Sequence, residues 1–177
     1  MATVLLLGGA RSGKSAAAVR LAVDSGAPVT FIATALAGDG EMADRIRRHR
    51  ESRPASWKTV EAPVDLLGAI RSAGPGDFLI IDCLTLWVSN LLGQGAQAAE
   101  IDAATDAIVE ELRGRASVVV TNEVGLGIVP VNDLARSFRD VLGSVNARVA
   151  ASADRALFMI AGRALDLASI NTVVRPG

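Results

Sequence analysis

The stretch Val4-Leu5-Leu6-Leu7-Gly8-Gly9-Ala10-Arg11-Ser12-Gly13-Lys14-Ser15-Ala16-Ala17-Ala18-Val19 sets an apolar run, a glycine-rich turn and a helix-forming run in direct succession. Gly8 to Ser15 satisfies G-x-x-x-x-G-K-[ST] at every fixed position. Glycines let the backbone curl so that several N–H groups point inward at phosphate oxygens, and the helix that follows adds its positive N-terminal end. In that geometry Lys14 reaches the β- and γ-phosphates of a nucleoside triphosphate and Ser15 ligates Mg²⁺. A bare match arises by chance; one that leaves a strand and opens a helix has the context that phosphate binding requires. Gly8, Gly9, Ala10, Arg11, Ser12, Gly13, Lys14 and Ser15 are therefore candidate nucleotide-binding residues, Lys14 with a catalytic part as well.

Outward from this loop, strand and helix signals alternate. Helical spacing of Ala18, Leu21 and Ala22 ends at the turn Ser25-Gly26-Ala27-Pro28, and Val29-Thr30-Phe31-Ile32-Ala33 reads as the second strand. A loop at Ala37-Gly38-Asp39-Gly40 precedes an arginine-rich helix over 41–51, stopped by Arg53-Pro54. Trp57 to Glu61 alternates as a strand and Val64 to Ile70 as a short helix. Phe78-Leu79-Ile80-Ile81-Asp82 is an unbroken apolar run closing on a carboxylate, the pattern of a central parallel strand covered on both faces. Leu84 to Leu92 and Ile101 to Arg113 read as helices, and Val118 to Thr121 as a further strand. A long helix is predicted from about Asn132 to Ala151 with Leu134, Phe138, Val141, Leu142, Val145 and Val149 on its apolar face. A strand at Ala156 to Ala161 follows, and Thr172-Val173-Val174 is expected to add an edge strand. This alternation predicts an α/β fold, a P-loop NTPase of RecA-like kind, with an open, mostly parallel sheet flanked by helices. Ligands bind beyond the carboxyl ends of such strands.

Composition bounds the function classes. A chain of 177 residues is expected to form one domain over 1–177 and to bury about two-thirds of its unfolded surface without disulfides. Aromatic residues are 3% and the formal net charge is −1, which disfavours nucleic acid as a partner because stacking platforms and a basic footprint are both missing. The single cysteine, Cys83, forms no intrachain disulfide and suits a reducing compartment, so the expected location is the cytoplasm. No apolar stretch approaches the ~20 residues of a membrane span, and no targeting signal is read.

The chemistry rests on few side chains. Asp82 ends an apolar strand and reads as the acidic residue that holds Mg²⁺ with Ser15, or else as an N-cap of the next helix. Glu61 and Glu123 are weaker candidates. The sole histidine, His49, lies among Arg45, Arg47, Arg48, Arg50 and Arg53. Such a segment is commonly a solvated face supported by pairs such as Arg47 with Glu51. Its other reading is chemical: His49 shares a helical face with Met42 and Ile46, and neighbouring cations favour the neutral, nucleophilic imidazole. It would attack phosphorus while the arginines neutralise phosphate oxygens.

Gly8 to Ser15, Phe31-Ile32-Ala33-Thr34-Ala35, Asp39 with Glu41-Met42, Arg45-Ile46, His49, Arg53-Pro54 and Trp57, and Thr121-Asn122-Glu123-Val124-Gly125-Leu126-Gly127-Ile128-Val129-Pro130 occur in order over most of the chain. Together they resemble the bifunctional adenosylcobinamide kinase/adenosylcobinamide-phosphate guanylyltransferase family of cobalamin biosynthesis. The resemblance implies two steps: phosphorylation of adenosylcobinamide by ATP or GTP, then transfer of GMP from GTP to adenosylcobinamide phosphate. It implies that His49 is the residue guanylylated, and that nucleotide is held by Gly8 to Ser15, Ala33, Thr34, Ala35, Arg50, Glu51, Ser52, Arg53, Glu61 and Asp82, in a homotrimer. The C-terminal region departs from the family pattern, running Ala161-Gly162 into Arg163-Ala164-Leu165-Asp166-Leu167 where a Pro-Leu segment is usual. Two rival readings are a kinase without the second step, against which His49 in its full motif speaks, and a RecA-like ATPase driving a partner or nucleic acid.

Overall fold

The computed structural model describes residues 2–36, 47, 50 and 53–169. Its elements, in chain order, are β1 (Thr3–Gly8), α1 (Lys14–Asp24), β2 (Val29–Ala33), β3 (Lys58–Glu61), α2 (Leu66–Arg71), β4 (Phe78–Asp82), α3 (Leu84–Gly93), α4 (Ala98–Leu112), β5 (Ser117–Val120), α5 (Asp133–Ser152), β6 (Arg155–Ile160) and β7 (Arg163–Leu167). The arginine-rich helix predicted over 41–51, and with it His49, Glu51 and Ser52, lies outside the described residues except for Arg47 and Arg50, both in helical conformation. The edge strand expected at Thr172 to Val174 also lies outside them.

One sheet runs in the order β3-β2-β4-β5-β1-β6-β7. Every neighbouring pair is parallel except β6 with β7. This is the α/β, mostly parallel architecture that the alternation predicts. Aliphatic runs such as Leu79-Ile80-Ile81 and Val118-Val119-Val120 form its centre because both faces are covered, so each residue in turn reaches a core. Leu5, Leu7, Ile32, Leu79, Ile81 and Val119 point to one face and pack with side chains of α2, α3, α4 and α5. Leu6, Phe31, Ile80, Val118 and Val120 point to the other, against Ala18 and Ala22 of α1. Small alanines on α1 let that helix lie close over the sheet, which keeps the loop before it near the strand ends.

Helix ends are satisfied locally. Asp65 accepts from the Gly68 N–H at 2.9 Å, Asn132 from the Ala135 N–H at 3.2 Å, and Gln97 with Glu100 forms a capping box. The C-terminal end of α2 is closed from far along the chain: the Arg115 guanidinium donates to the carbonyls of Ile70 (2.9 Å), Ala73 (3.3 Å) and Gly74 (2.8 Å).

One expectation is corrected and one strand is added. Leu134 is 69% exposed rather than part of the apolar face, because the first turn of α5 projects past the sheet and burial starts further along, at Val141. A strand not expected from the sequence, β7, borders the described sheet beside β6, reached through a two-residue turn in which Ala161 (φ 50°) and Gly162 (φ 76°) are both left-handed, the geometry that matches the twist of a tight hairpin. Among the described residues no helix is long and apolar enough to cross a membrane.

Candidate nucleotide site

Parallel pairing sends the ends of β1, β2, β3, β4 and β5 to the same edge of the sheet, and a cavity of about 600 Å³ opens there. Its floor is the loop between β1 and α1, with Ala10 to Ala16 on its wall. Three backbone positions shape this loop: Gly8 (φ 148°), Arg11 (φ 55°) and Gly13 (φ 98°). At Gly8 a Cβ would sit 2.3 Å from the Met159 carbonyl oxygen of β6, so only glycine permits this close approach. The loop also leans on the β6–β7 turn, where the Gly162 N–H donates to the Ser12 carbonyl at 2.9 Å.

Lys14 is buried at the mouth of this loop. Its ammonium donates to the carbonyls of Gly8 and Gly9, both at 2.7 Å, and to Ser12 Oγ at 3.2 Å. Burial lowers its pKa from the ordinary lysine value, with Cys83 and Asp82 acting in the opposite direction. Phosphate oxygens would compete for this same ammonium. Next to it the Ser15 hydroxyl donates to Asp82 Oδ2 at 3.3 Å. Two hard oxygen donors side by side, with room for phosphate oxygens and water, suit a small divalent cation such as Mg²⁺.

The opposite wall holds Ala33, Ala35, Thr59 and Glu61, from the ends of β2 and β3, together with Arg50 and Arg53. The Arg53 guanidinium lies 3.3 Å from the centroid of the Phe31 ring, a cation–π contact that fixes its direction. Its pKa is lowered by burial, raised by Asp82 and lowered again by Arg50. Two guanidiniums and the Lys14 ammonium on one cavity supply the positive charge an anionic nucleotide requires.

Thr34 does not join them. It is fully buried, and its hydroxyl donates to the Cys83 carbonyl (2.7 Å) while accepting from the Cys83 N–H (2.8 Å). Asn90 of α3 donates to both Thr34 O and Pro63 O, tying the exits of β2 and β3 together. Cys83 itself lines the cavity, its thiol pKa raised first by burial and then by Asp82.

Of the residues singled out from the sequence, the structure gathers Ala10 to Ser15, Ala33, Ala35, Arg50, Arg53, Glu61 and Asp82 around one cavity. Gly8 and Gly9 act through their carbonyls on Lys14. Sequence reading missed Thr59 and Leu86 on the wall, and it placed Asn122 at this edge of the sheet without giving it a chemical role. It also missed the residues that pin Asn122. Its N–H donates to Thr85 Oγ1 at 2.7 Å, and its carbonyl accepts from Asn146 Nδ2 at 3.0 Å. Asn146 Oδ1 in turn accepts from Thr121 Oγ1 at 2.7 Å. A signal was there: Asn146 is a polar residue inside the buried stripe Leu142, Val145, Val149 of α5.

Comparison with known proteins agrees with this geometry. The model of the CobU family, cobinamide kinase/cobinamide phosphate guanyltransferase, matches residues 4–167. The bifunctional adenosylcobalamin biosynthesis protein CobP of Pseudomonas aeruginosa is 47% identical over 167 residues, 92% of this chain and 95% of that protein. The corresponding CobU of Salmonella typhimurium is 42% identical over 174 residues, 90% of this chain and 96% of that protein. Among solved structures the flagellar accessory protein FlaH from Methanocaldococcus jannaschii superposes with a TM-score of 0.51 at 15% identity, covering 94% of this chain and 76% of that one. The RadB recombinase does so with a TM-score of 0.50 at 12% identity, covering 89% and 73%. These two likenesses are of fold alone, whereas the match over residues 4–167 is of sequence: the chain belongs to the cobinamide kinase/cobinamide phosphate guanyltransferase family.

Proposed function

We infer that this chain is a two-step enzyme of cobalamin biosynthesis. It phosphorylates adenosylcobinamide with a nucleoside triphosphate, and then transfers GMP from GTP to adenosylcobinamide phosphate. The observation that carries this reading is the convergence of Lys14, Arg50, Arg53 and the Ser15–Asp82 pair on one cavity in a chain of this family. Lys14 and the loop N–H groups hold the triphosphate; Arg50 and Arg53 neutralise its outer oxygens. Ser15 and Asp82 would hold Mg²⁺, which supplies charge neutralisation for the transferring phosphoryl group. Ala33, Ala35 and Glu61 line the part of the cavity left for the nucleoside.

In the second step His49 is the nucleophile. Its unprotonated ring nitrogen attacks the α-phosphorus of GTP, a P–N bond forms, the α–β P–O bond breaks and pyrophosphate leaves. An oxygen of adenosylcobinamide phosphate then attacks the same phosphorus, the P–N bond breaks, and the guanylylated product departs. The arginines around His49 in the sequence support this assignment by favouring its neutral form. Glu51 and Ser52, next to it in sequence, belong to the same nucleotide-holding segment.

Incubation with Mg²⁺ and GTP labelled at the α-phosphate is expected to leave acid-labile label on the chain. His49→Ala is expected to abolish it while retaining phosphorylation of adenosylcobinamide. Undiminished label on that variant would overturn the histidine assignment. The reading includes a cytoplasmic location, where both triphosphates are available. It also includes a homotrimer: Leu126, Ile128, Val129, Val131 and Leu134 form an exposed apolar surface of the kind that assembly covers.

A further inference from the structure

Asn122 is held by its backbone and left open at its side chain. The N–H is bound by Thr85 of α3 and the C=O by Asn146 of α5, at 2.7 Å and 3.0 Å. Thr85 and Asn146 are both buried, and Asn146 is further oriented by the Thr121 hydroxyl. The side-chain amide of Asn122, by contrast, makes no hydrogen bond among the described residues and lines the cavity. Holding a loop in place needs only the backbone bonds. A carboxamide fixed at its root and unpartnered at its tip is poised for a ligand.

Sheet order says which part of the ligand it meets. β5 lies between β1, which feeds the phosphate loop, and β4, which ends on Asp82. Val120 is in register with Leu6 on one side and Asp82 on the other. The chain leaving β5 therefore emerges between the phosphate loop and the Ser15–Asp82 pair, and the Glu123 N–H donates to the Gly8 carbonyl at 3.3 Å. Gly8 O is also an acceptor for Lys14 Nζ, the group that reaches the β- and γ-phosphates. The end of the triphosphate beyond the β-phosphate thus faces Asn122.

We propose that Asn122 is a catalytic residue of the phosphorylation step, positioned by Thr85 and Asn146, and that it reads the γ-phosphoryl group and the acceptor hydroxyl together. The proposal rests on the two-step reading above. Its Nδ2 donates to a γ-phosphoryl oxygen and its Oδ1 accepts from the acceptor hydroxyl, aligning that oxygen with the phosphorus. The hydroxyl oxygen forms the new P–O bond, the bond from phosphorus to the β–γ bridging oxygen breaks, and the nucleoside diphosphate leaves with the electron pair. An amide is no base at neutral pH, so the hydroxyl proton passes to water. Guanylyl transfer breaks the α–β bond instead, where the γ-phosphate is a bystander within the leaving pyrophosphate. Asn122 then contributes to ground and transition state alike, and the two half-reactions separate at this residue.

The test is Asn122→Ala and Asn122→Asp, assayed separately for phosphorylation of adenosylcobinamide and for GMP transfer to preformed adenosylcobinamide phosphate. Asn122→Ala is expected to lower kcat of phosphorylation about ten- to a hundredfold, with KM for the nucleotide changed less than about threefold. GMP transfer is expected to fall by less than about threefold. Asn122→Asp should be slower still in phosphorylation, because a carboxylate repels the γ-phosphate. Thr85→Val, which removes one hydroxyl and keeps shape, should reproduce a smaller part of the kcat loss, and Thr85→Ser should restore it. Equal losses in both half-reactions, a change in KM alone, or an undiminished phosphorylation rate would overturn the proposal. A wild-type chain that phosphorylates no adenosylcobinamide defeats the two-step reading instead; the Asn122 proposal is then decided by release of γ-phosphate to water, which Asn122→Ala should lower by a similar factor.

Discussion

Two loops leave neighbouring strands at the same edge of the sheet, and they are secured in opposite ways. The loop after β1 curls back on itself: Lys14 clasps the carbonyls of Gly8 and Gly9, and the β6–β7 turn holds it at Ser12. The loop after β5 is held near its root by Thr85, Asn146 and the Gly8 carbonyl, runs outward until Ile128 is 97% exposed, and is met again by Arg136 at the Pro130 carbonyl. A self-closed loop built from backbone N–H groups suits any ligand that carries phosphate, whichever bond is to break. The loop after β5 presents the Asn122 side chain, whose proposed catalytic part is confined to the phosphorylation step. Generality and selectivity in this site therefore come from adjacent strands, through the difference between backbone and side-chain contacts.

The sharpest way to break this contrast is Lys14→Ala. Removing a cation aimed at the phosphates should cost roughly 10²–10³ in kcat/KM, and it should do so in both assays, where Asn122→Ala affects one. Steady-state kinetics of the two half-reactions measured side by side check this. Loss confined to one of them would show that the phosphate loop is not common to both.

Next in size is Gly8→Ala. The added methyl would meet the Met159 carbonyl oxygen at 2.3 Å, on a backbone with φ 148°. Overpacking and strained backbone together should cost about 2–4 kcal/mol, a fall in melting temperature of roughly 5–15 °C. Thermal unfolding followed by circular dichroism reads it. An unchanged melting temperature would mean that the phosphate loop is free to move off β6.

The smallest effect belongs to the outer part of the second loop. Leu126→Ser with Ile128→Ser should shift stability by no more than about 0.5 kcal/mol in urea unfolding at protein concentrations low enough for self-association to contribute nothing. A larger loss would place those side chains in the fold of the single chain.

The contrast also marks what is legible in a sequence. Phe78 to Asp82 and Val118 to Thr121 announce buried parallel strands because burial on both faces demands unbroken apolar runs, and Gly8 to Ser15 announces its loop because only glycine tolerates the backbone there. Asp82 follows from closing such a strand. Sheet order does not follow from local pattern: nothing in Ser117 to Val120 says that this strand inserts between β1 and β4, yet that insertion is what brings Asn122 to the γ-phosphate end. Thr85 and Arg115 were equally invisible, since each acts on carbonyls or N–H groups more than twenty residues away. The resemblance implies Thr34 as a nucleotide-binding residue together with Ala33 and Ala35, while its hydroxyl is bonded to the Cys83 backbone. The strand β7 was not legible because the left-handed pair Ala161–Gly162 makes a turn where the pattern suggests a stop.

That same turn bears on how the molecule is made. β1 is the first strand of the chain, but it pairs with β5 and β6, and the loop it feeds rests on Gly162. During synthesis the earliest strand must therefore wait for more than a hundred residues before either neighbour exists. Closing so long a loop is slow, and the phosphate cradle gains its last wall only with the β6–β7 hairpin. Nucleotide can thus stabilise the finished fold but has no site on the growing chain.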